Sequence, residues 1–194
     1  MTVGLLGGAF DPPHNGHLAL AGAALGQFDL NRLVVIPTGD PPHKHVATDA
    51  ETRFRLAEAA FAGLPAVEVS RHELDRMGPS YTVDTARWAA KRYGDAIFLV
   101  GADEFCDFLS WRGPDEILDA VRLGVASRPG FPQERLDTVL RGLRRPERVE
   151  FFVIEPLPIE SRELRARVGR DESISALVPP AVARLVEEGG LYRG

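Results

Sequence analysis

Short apolar segments alternate with longer helix-like segments along most of this 194-residue chain. Six of the apolar segments predict β-strands, and the unbroken runs at 97–100 and 151–154 are typical of strands buried on both faces. A repeated strand–helix alternation predicts an α/β fold with a parallel sheet. We therefore expect a Rossmann-like, doubly wound parallel sheet of about six strands with helices on both faces.

Local start and stop signals give the approximate bounds of these elements. Strands are predicted at 3–6, 32–36, 66–69, 96–100, 123–127 and 149–154. Helices are predicted at 14–25, 49–62, 80–93, 103–109, 114–120, 133–143 and 179–188. The length and the absence of a linker-like segment predict one domain over residues 1–194, with a small helical C-terminal part from about residue 159.

Composition limits the class of protein. Hydrophobic residues make up 44% and charged residues 26%, which is typical of a globular protein, and the net charge is −5. An acidic balance does not favour a nucleic-acid partner. Cys106 is the single cysteine, so a disulfide framework and a cysteine-based metal site are excluded. With no basic, apolar leader and no long apolar run, we expect a cytoplasmic protein that does not bind membranes.

The strongest functional signal is the glycine loop, residues 7–17, which reads Gly-Gly-Ala-Phe-Asp-Pro-Pro-His-Asn-Gly-His. It joins the first predicted strand to the first helix, where free N–H groups and the helix dipole favour an anion. His14 and His17 lie three residues apart, on one face of a helical turn, and Gly16 leaves room for a ligand. The two imidazoles suit hydrogen bonding to phosphate. Alternatively, His14 caps the helix and His17 packs as an ordinary polar residue.

Two familiar phosphate motifs are missing from this loop. No Gly-Lys-Ser/Thr follows, so it is not a Walker loop, and it lacks the G-x-G-x-x-G dinucleotide fingerprint. A second basic loop follows the second predicted strand, with His43, Lys44 and His45 after two prolines. Lysine is a mobile charge suited to phosphate, and Arg53 at the start of the next helix is placed to support this loop.

Polar residues also follow the later predicted strands, where ligands of doubly wound sheets bind. Tyr81 and Thr82 are candidates for holding a polar ring substituent, whereas Ser80, Thr82 and Asp84 are alternatively helix caps. Gly101 permits close backbone approach, and Asp103 suits ribose hydroxyls. Trp111 offers a flat face for a heteroaromatic ring, or alternatively packs in the core.

The segment after the sixth predicted strand carries two arginines. Ser161 fits a helix N-cap, and Arg162 and Arg165 lie three residues apart in the turn that follows. Arginine at a helix start opposes the helix dipole unless an anion neutralises it, so this segment indicates a phosphate partner. The alternative is a pair of surface arginines that contact Glu160 and Glu163.

In this order the motifs resemble those of bacterial nicotinate-nucleotide adenylyltransferases, which belong to a nucleotidylyltransferase superfamily marked by an H-x-G-H signature. The signature alone is general to the superfamily. The proline–histidine–lysine loop, the Ser-Tyr-Thr sequence and the tryptophan together are more specific. The likeness covers almost the whole chain and includes residues 7–17, 41–44, Arg53, 80–82, 101–103, Trp111, 126–130 and 190–192.

The resemblance implies transfer of AMP from ATP to nicotinate mononucleotide, giving deamido-NAD and pyrophosphate in NAD biosynthesis. Mg²⁺ is expected with ATP, no protein metal ligand is implied, and a homo-oligomer is left open. The catalytic residues implied are His14, His17, Lys44 and Arg165. The ATP-binding residues implied are Gly8, Ala9, Phe10, Gly16, Gly101, Asp103 and Ser161. The residues implied for nicotinate mononucleotide are Tyr81, Thr82 and Trp111.

The chain departs from the family pattern in one segment. Where the family usually reads Ile-Ser-Ser-Thr-x-x-Arg, residues 159–165 carry Glu160 and Arg162 in place of small hydroxyl residues. Ala9 likewise stands where threonine is common. Two alternatives therefore stay open. One is another acceptor, such as phosphopantetheine or nicotinamide mononucleotide, and the other is a catalytically weak nucleotide-binding regulator. A dehydrogenase is disfavoured because the dinucleotide fingerprint is missing.

Overall fold

The structure is a computed structural model that describes residues 2–42, 45–155 and 157–193. The strands are β1 (Val3–Gly8), β2 (Arg32–Pro37), β3 (Val67–Val69), β4 (Ala96–Gly101), β5 (Arg122–Ser127) and β6 (Val149–Val153). The helices are α1 (Asn15–Gln27), α2 (Ala50–Phe61), α3 (Thr82–Tyr93), α4 (Ala102–Cys106), α5 (Pro114–Ala120), α6 (Gln133–Gly142), α7 (Ser161–Gly169) and α8 (Pro180–Glu188). Short 3₁₀ turns occupy Phe108–Ser110 and Pro146–Arg148.

The six strands form one sheet in the order β3-β2-β1-β4-β5-β6. The described pairings of β1 with β4, β4 with β5 and β5 with β6 are parallel. This is the strand order of a doubly wound Rossmann-like sheet, and its direction of winding reverses between β1 and β4. The predicted fold class is therefore confirmed.

Most predicted elements agree with the structure to within two residues, but several local predictions are wrong. The run at 151–154 is not buried on both faces, since Phe151 is 40% and Val153 is 60% exposed in β6. The predicted helix at 103–109 is split into α4 and a 3₁₀ turn. Helix α3 begins at Thr82 with Tyr81 as its N-cap and has no side-chain cap. Capping by Ser80, Thr82 or Asp84 is therefore not found. The predicted cap of α2 is confirmed, since Asp49 accepts a hydrogen bond from the Thr52 N–H at 2.9 Å.

The chain divides into two compact units. The first unit comprises described residues 2–7, 20–34 and 81–155. Its core joins strand residues such as Leu5, Leu99 and Leu123 to Phe105 and Ile117 of the helices, all at most 1% exposed. The nearly continuous apolar runs of these strands and the apolar faces of these helices explain why they bury one another.

Strand β6 is the last strand of the sheet order and belongs to the first unit. The Gln27 side-chain amide, at the end of α1, donates to the Val153 carbonyl at 2.7 Å and accepts from the Val153 N–H at 3.1 Å. Ile154 donates to the Ser127 carbonyl in β5, so the Val153 groups point away from β5. One glutamine therefore satisfies both backbone groups of Val153 on the outer edge of the sheet.

The second unit comprises described residues 8–19, 35–80 and 157–193. Its apolar core includes Ile36, Phe54, Phe61 and Val182, and α2 packs against α8. Buried ionisable side chains concentrate in this unit. They are Asp11, His14, Arg53 and Glu73, none more than 8% exposed. Burying a charged or polar group costs free energy unless the group is paired. The contacts of these four side chains therefore indicate where a functional site lies.

Candidate active site

The glycine loop begins in the second unit with a tight approach of Gly8 to Phe10. Phe10 is 1% exposed and adopts φ 52°, and its ring packs edge-on against His17 and Phe61 at centroid distances of 5.1 and 6.0 Å. A Cβ at Gly8 would lie 3.1 Å from the Phe10 ring, so a side chain there would displace it. The Gly8 carbonyl accepts from the Thr38 N–H at 2.9 Å.

The two histidines of the loop are in direct contact. Their ring centroids lie 3.8 Å apart, and the His14 main-chain N–H donates to His17 Nδ1 at 3.1 Å. A nitrogen that accepts a hydrogen bond carries no proton, so the proton of the neutral His17 ring is on Nε2. The prediction that both imidazoles share one face is confirmed, and His17 presents a donor at Nε2.

Burial sets the charge of His14. Loss of solvent lowers its pKa from 6.5 to about 4, so the ring is neutral at pH 7. Its Nδ1 atom is buried and has no hydrogen-bond partner among residues 2–42, 45–155 and 157–193. A Cβ at Gly16 would lie 3.0 Å from this atom, which explains the glycine between the two histidines. His14 can therefore act on an anion as a neutral donor.

Asp11 is buried beside these histidines and is the acceptor for several distant segments. Its Oδ2 accepts from the Ala47 N–H at 2.6 Å, and its Oδ1 accepts from the Thr48 hydroxyl at 2.7 Å and the Tyr192 hydroxyl at 2.8 Å. We call these four residues the Asp11 cluster. Sequence reasoning assigned no role to Asp11 or Tyr192, although both fall within motifs that carry the family resemblance.

Helix α7 meets the same loop through Ser161 and Arg165. The Ser161 hydroxyl donates to the Pro12 carbonyl at 2.9 Å, and Arg165 Nη1 donates to the Asp11 carbonyl at 2.7 Å. Ser161 is the first residue of α7, and Glu160 is its N-cap, so the predicted N-cap role of Ser161 is wrong. Arg165 remains 24% exposed, whereas the neighbouring Arg162 is fully at the surface. The structure brings Arg165 to the glycine loop, as the phosphate prediction requires.

Arg53 of α2 is buried and joins two loops through hydrogen bonds. It is 1% exposed, and its guanidinium donates to the carbonyls of Ala9 at 3.2 Å and Gly39 at 2.9 Å, and also to that of Thr38. These carbonyls follow β1 and β2, so Arg53 fixes two loops at once. Arg55 is exposed, as predicted. His43 and Lys44 lie outside the described residues, so the contact of Lys44 with phosphate stays a prediction.

The residues predicted for the acceptor lie in the first unit. The guanidinium of Arg112 lies 4.5 Å above the Tyr81 ring, and Trp111 packs edge-on against buried Phe108 at 5.3 Å. Tyr81, Thr82 and Trp111 are all half-buried, which leaves part of each ring or hydroxyl at the surface. The cation over Tyr81 was not predicted, although the sequence places Arg112 directly after Trp111.

The residues predicted for the nucleoside also lie in the first unit, at the end of β4. Gly101 is the N-cap of α4, and a Cβ there would meet no described atom within 4 Å. The Asp103 carboxylate is largely exposed and lies 3.9 Å from Arg128 and 3.9 Å from Arg135. Both arginines also lie over the Phe131 ring. Asp103 is therefore part of an exposed ion-pair group, which was not predicted.

Within the described ranges, no group of three or more His, Cys, Asp or Glu side chains is placed to hold a metal ion. No helix in the part of the chain that the structure describes is long and apolar enough to cross a membrane.

The sheet order and the paired histidines after β1 define the class of protein. The model of the cytidylyltransferase-like family matches residues 5–167, and the chain belongs to that family. A protein of Moorella thermoacetica named "probable nicotinate-nucleotide adenylyltransferase" is 39% identical over 98% of this chain and 91% of its own length. A Thermus thermophilus protein of the same name is 38% identical over 100% of both chains. The resemblance predicted from the motifs is confirmed.

Solved structures support the same fold. The nicotinic acid mononucleotide adenylyltransferase of Plasmodium falciparum complexed with NaAD has a TM-score of 0.78 and 16% identity, over 98% of this chain and 97% of that chain. The same enzyme complexed with APC has a TM-score of 0.75, also at 16% identity, over 98% of this chain and 96% of that chain. Similarity at this identity establishes the fold alone.

Proposed function

We propose that this protein transfers AMP from ATP to nicotinate mononucleotide, forming deamido-NAD and pyrophosphate in NAD biosynthesis. The observation that carries this proposal is the contact between His14 and His17 in the glycine loop, beside Arg165. The two relatives that are 38–39% identical are named for this activity, and they match 98–100% of this chain.

The reaction needs little covalent chemistry from the protein. A phosphate oxygen of nicotinate mononucleotide attacks the α-phosphorus of ATP, the new P–O bond forms, and the bond to the pyrophosphate oxygen breaks. Catalysis then consists of alignment and of stabilising charge on the departing pyrophosphate. His17 Nε2–H and neutral His14 supply oriented donors, and Arg165 and Lys44 supply positive charge. Gly8, Ala9 and Phe10 contribute backbone contacts to the phosphates, and Gly16 leaves them room.

Ser161 contributes to ATP binding indirectly in this proposal. Its hydroxyl donates to the Pro12 carbonyl, so it holds α7 against the glycine loop and thereby places Arg165. Gly101 and Asp103 are assigned to the nucleoside of ATP. Because Asp103 lies near Arg128 and Arg135, a ribose hydroxyl would share the carboxylate with these cations.

Tyr81, Thr82 and Trp111 are assigned to the acceptor, and Arg112 suggests how the acceptor is chosen. Nicotinate carries a carboxylate, whereas nicotinamide carries a neutral amide. A guanidinium held above Tyr81 favours the acid electrostatically and by charge-assisted hydrogen bonding. We therefore assign a preference for nicotinate mononucleotide over its amide to the charge of Arg112.

The donors described at the glycine loop are imidazole and guanidinium groups, which suit phosphate rather than Mg²⁺. Asp11 already accepts three hydrogen bonds. We propose that Mg²⁺ enters with ATP, held by phosphate and water, and that it neutralises phosphate charge. The acidic composition does not favour a nucleic-acid partner, and a cytoplasmic location and a homo-oligomer stay predictions.

The test is pyrophosphate release with ATP, Mg²⁺ and each of three acceptors: nicotinate mononucleotide, nicotinamide mononucleotide and phosphopantetheine. We expect the highest kcat/KM with the first. A higher value with phosphopantetheine would overturn the acceptor assignment. Saturable binding of both substrates without turnover would instead indicate the regulatory alternative, marked by Glu160 and Arg162.

A further inference from the structure

We propose that Asp11 and Tyr192 are positioning residues for phosphate transfer, and that the Tyr192 hydroxyl keeps the Asp11 carboxylate from capturing Arg165. This inference rests on the proposed function, in which Arg165 contacts the phosphates of ATP. Neither residue is expected to touch substrate, so each acts through the groups that it holds.

Burial of the Asp11 carboxylate is costly. Its side chain is 2% exposed, and a carboxylate removed from water is strongly destabilising unless charges or donors surround it. The Asp11 cluster provides three donors from two segments that are distant in sequence, at 47–48 and at 192. The carboxylate therefore fixes the positions of both segments relative to the glycine loop.

The segments held by Asp11 are continuous in sequence with residues assigned to catalysis. Ala47 and Thr48 close the basic loop that contains Lys44 in sequence. The glycine loop itself continues from Asp11 to His14. Helix α7 is the third segment attached to Asp11, because Arg165 Nη1 donates to the Asp11 carbonyl. One buried residue thus joins the chain segments that carry the four residues assigned to catalysis.

Arg165 contacts the main chain of Asp11 more closely than it contacts the carboxylate. Its Nη1 lies 2.7 Å from the Asp11 main-chain oxygen but 3.9 Å from carboxylate Oδ2. The guanidinium is therefore held mainly by a neutral acceptor, and its charge is only partly neutralised by the carboxylate. At 24% exposure it can still reach an anionic ligand. A carboxylate with fewer donors would attract Arg165 more closely and withdraw that charge from phosphate.

Tyr192 is suited to prevent this capture. Burial, together with the neighbouring Asp11 charge, raises the pKa of its phenol, so the hydroxyl stays protonated and donates. The residue adopts φ 65°, a left-handed conformation that is unfavourable for a tyrosine. The surrounding contacts must therefore hold Tyr192 in this unfavourable conformation. Such strain is expected where a side chain has to be positioned against one particular partner, here Asp11.

The test is Tyr192→Phe, which removes one oxygen and retains the ring, with Tyr93→Phe on α3 as the matched control. We expect KM for ATP and the dissociation constant for inorganic pyrophosphate each to rise about tenfold, the effect of losing one hydrogen bond to a charged group. KM for nicotinate mononucleotide should change less than about twofold, because Arg165 is assigned to the phosphates of ATP and not to the acceptor. Tyr93→Phe should leave all three constants unchanged.

A second measurement separates positioning from stability. In an Arg165→Gln background, Tyr192→Phe should add little further loss of pyrophosphate affinity, because the cation to be captured is gone. Additive losses would overturn the inference. So would a lower Tm with unchanged KM values and unchanged pyrophosphate affinity. If Tyr192→Phe does not fold, Thr48→Val removes the other donor to Oδ1 and should raise KM for ATP; unchanged KM there would also overturn it.

The failure of this inference and of the proposed function can be told apart. A wild-type protein that does not turn over ATP with nicotinate mononucleotide contradicts the function. Normal wild-type turnover with an unaltered Tyr192→Phe variant contradicts only the positioning role.

Discussion

The main-chain N–H of His14 donates to Nδ1 of His17, and this contact leaves the His17 proton on Nε2. We expect His17→Ala to lower kcat about 100-fold or more, the loss seen when one donor to a developing anion is removed. His17→Gln, whose amide can donate near the Nε2 position, should recover part of the rate. Steady-state kinetics with Tm as the folding control provide the measurement. An unchanged kcat would show that His17 is only a packing residue.

The buried His14 predicts a pH dependence of stability. Its pKa is about 4 in the folded protein and near 6.5 when unfolded, so the unfolded chain binds the proton more tightly between these values. The stability linked to this residue is fully present above pH 6.5 and is lost as pH falls toward 4, by up to about 3 kcal/mol. Denaturant unfolding at several pH values checks this. The His14→Gln variant should lose less stability over the same range, and parallel curves would contradict the prediction.

We predict that Gly16 is required for the position of the His14 ring rather than for the formation of helix α1. A Cβ at this position would lie 3.0 Å from His14 Nδ1, whereas a Cβ at Gly22 of the same helix would meet no described atom within 4 Å. We expect Gly16→Ala to lower kcat about tenfold by displacing the His14 ring. Gly22→Ala should retain activity and raise stability by about 0.5–1 kcal/mol, since alanine favours helix. Equal kinetics of the two variants would contradict the role of Gly16.

Arg53 is predicted to stabilise the loops after β1 and β2. Arg53→Met retains much of the volume but leaves the carbonyls of Ala9 and Gly39 without this donor. We expect the free energy of unfolding to fall by about 3 kcal/mol or more, because buried acceptors lose charged partners. Arg55→Met, two residues along the same helix and exposed, is the control and should change it by less than about 0.5 kcal/mol. Urea unfolding of both variants measures the difference, and similar losses would refute the prediction.

The charge of Arg112 is predicted to select the acid form of the acceptor. Arg112→Gln should raise KM for nicotinate mononucleotide about tenfold, with little change for nicotinamide mononucleotide, because only the acid carries a carboxylate. Arg92→Gln is the matched control, since Arg92 also lies over a tyrosine ring, that of Tyr93. The ratio of kcat/KM for the two acceptors is the quantity to compare. A ratio unaffected by Arg112→Gln would assign acid recognition to other groups.

Local patterns were sufficient to predict the sheet but not every helix start. Apolar runs marked both β4 and β6, but only β4 is buried on both faces, as a continuously hydrophobic strand is expected to be. In β6 one face leaves Phe151 40% and Val153 60% exposed, so an unbroken apolar run predicted the strand but not its burial. The cap of α3 was mispredicted because three polar residues with capping ability lie close together, yet none of them caps the helix in the structure. Ser80, for example, is used elsewhere: its hydroxyl accepts from the Asp40 N–H at 3.3 Å.

In the site, too, local patterns predicted the nearby contacts but not the contacts between residues distant in sequence. The glycine loop could be predicted because His14, Gly16 and His17 act within one helical turn. The contact between Asp11 and Tyr192 joins residues 181 positions apart, and no local periodicity encodes such a pairing. Arg53 was recognised as a supporting residue, but its burial depends on the packing of two loops.

The Gln27 amide that closes the outer side of β6 bears on self-association. An incoming strand would need the N–H and C=O of Val153, and both are already satisfied within the same chain. Sheet extension across this edge would first require the glutamine to leave, exposing two unpaired backbone groups. If two copies of this protein do assemble, their contact at this position must therefore use side chains rather than a continuous intermolecular sheet.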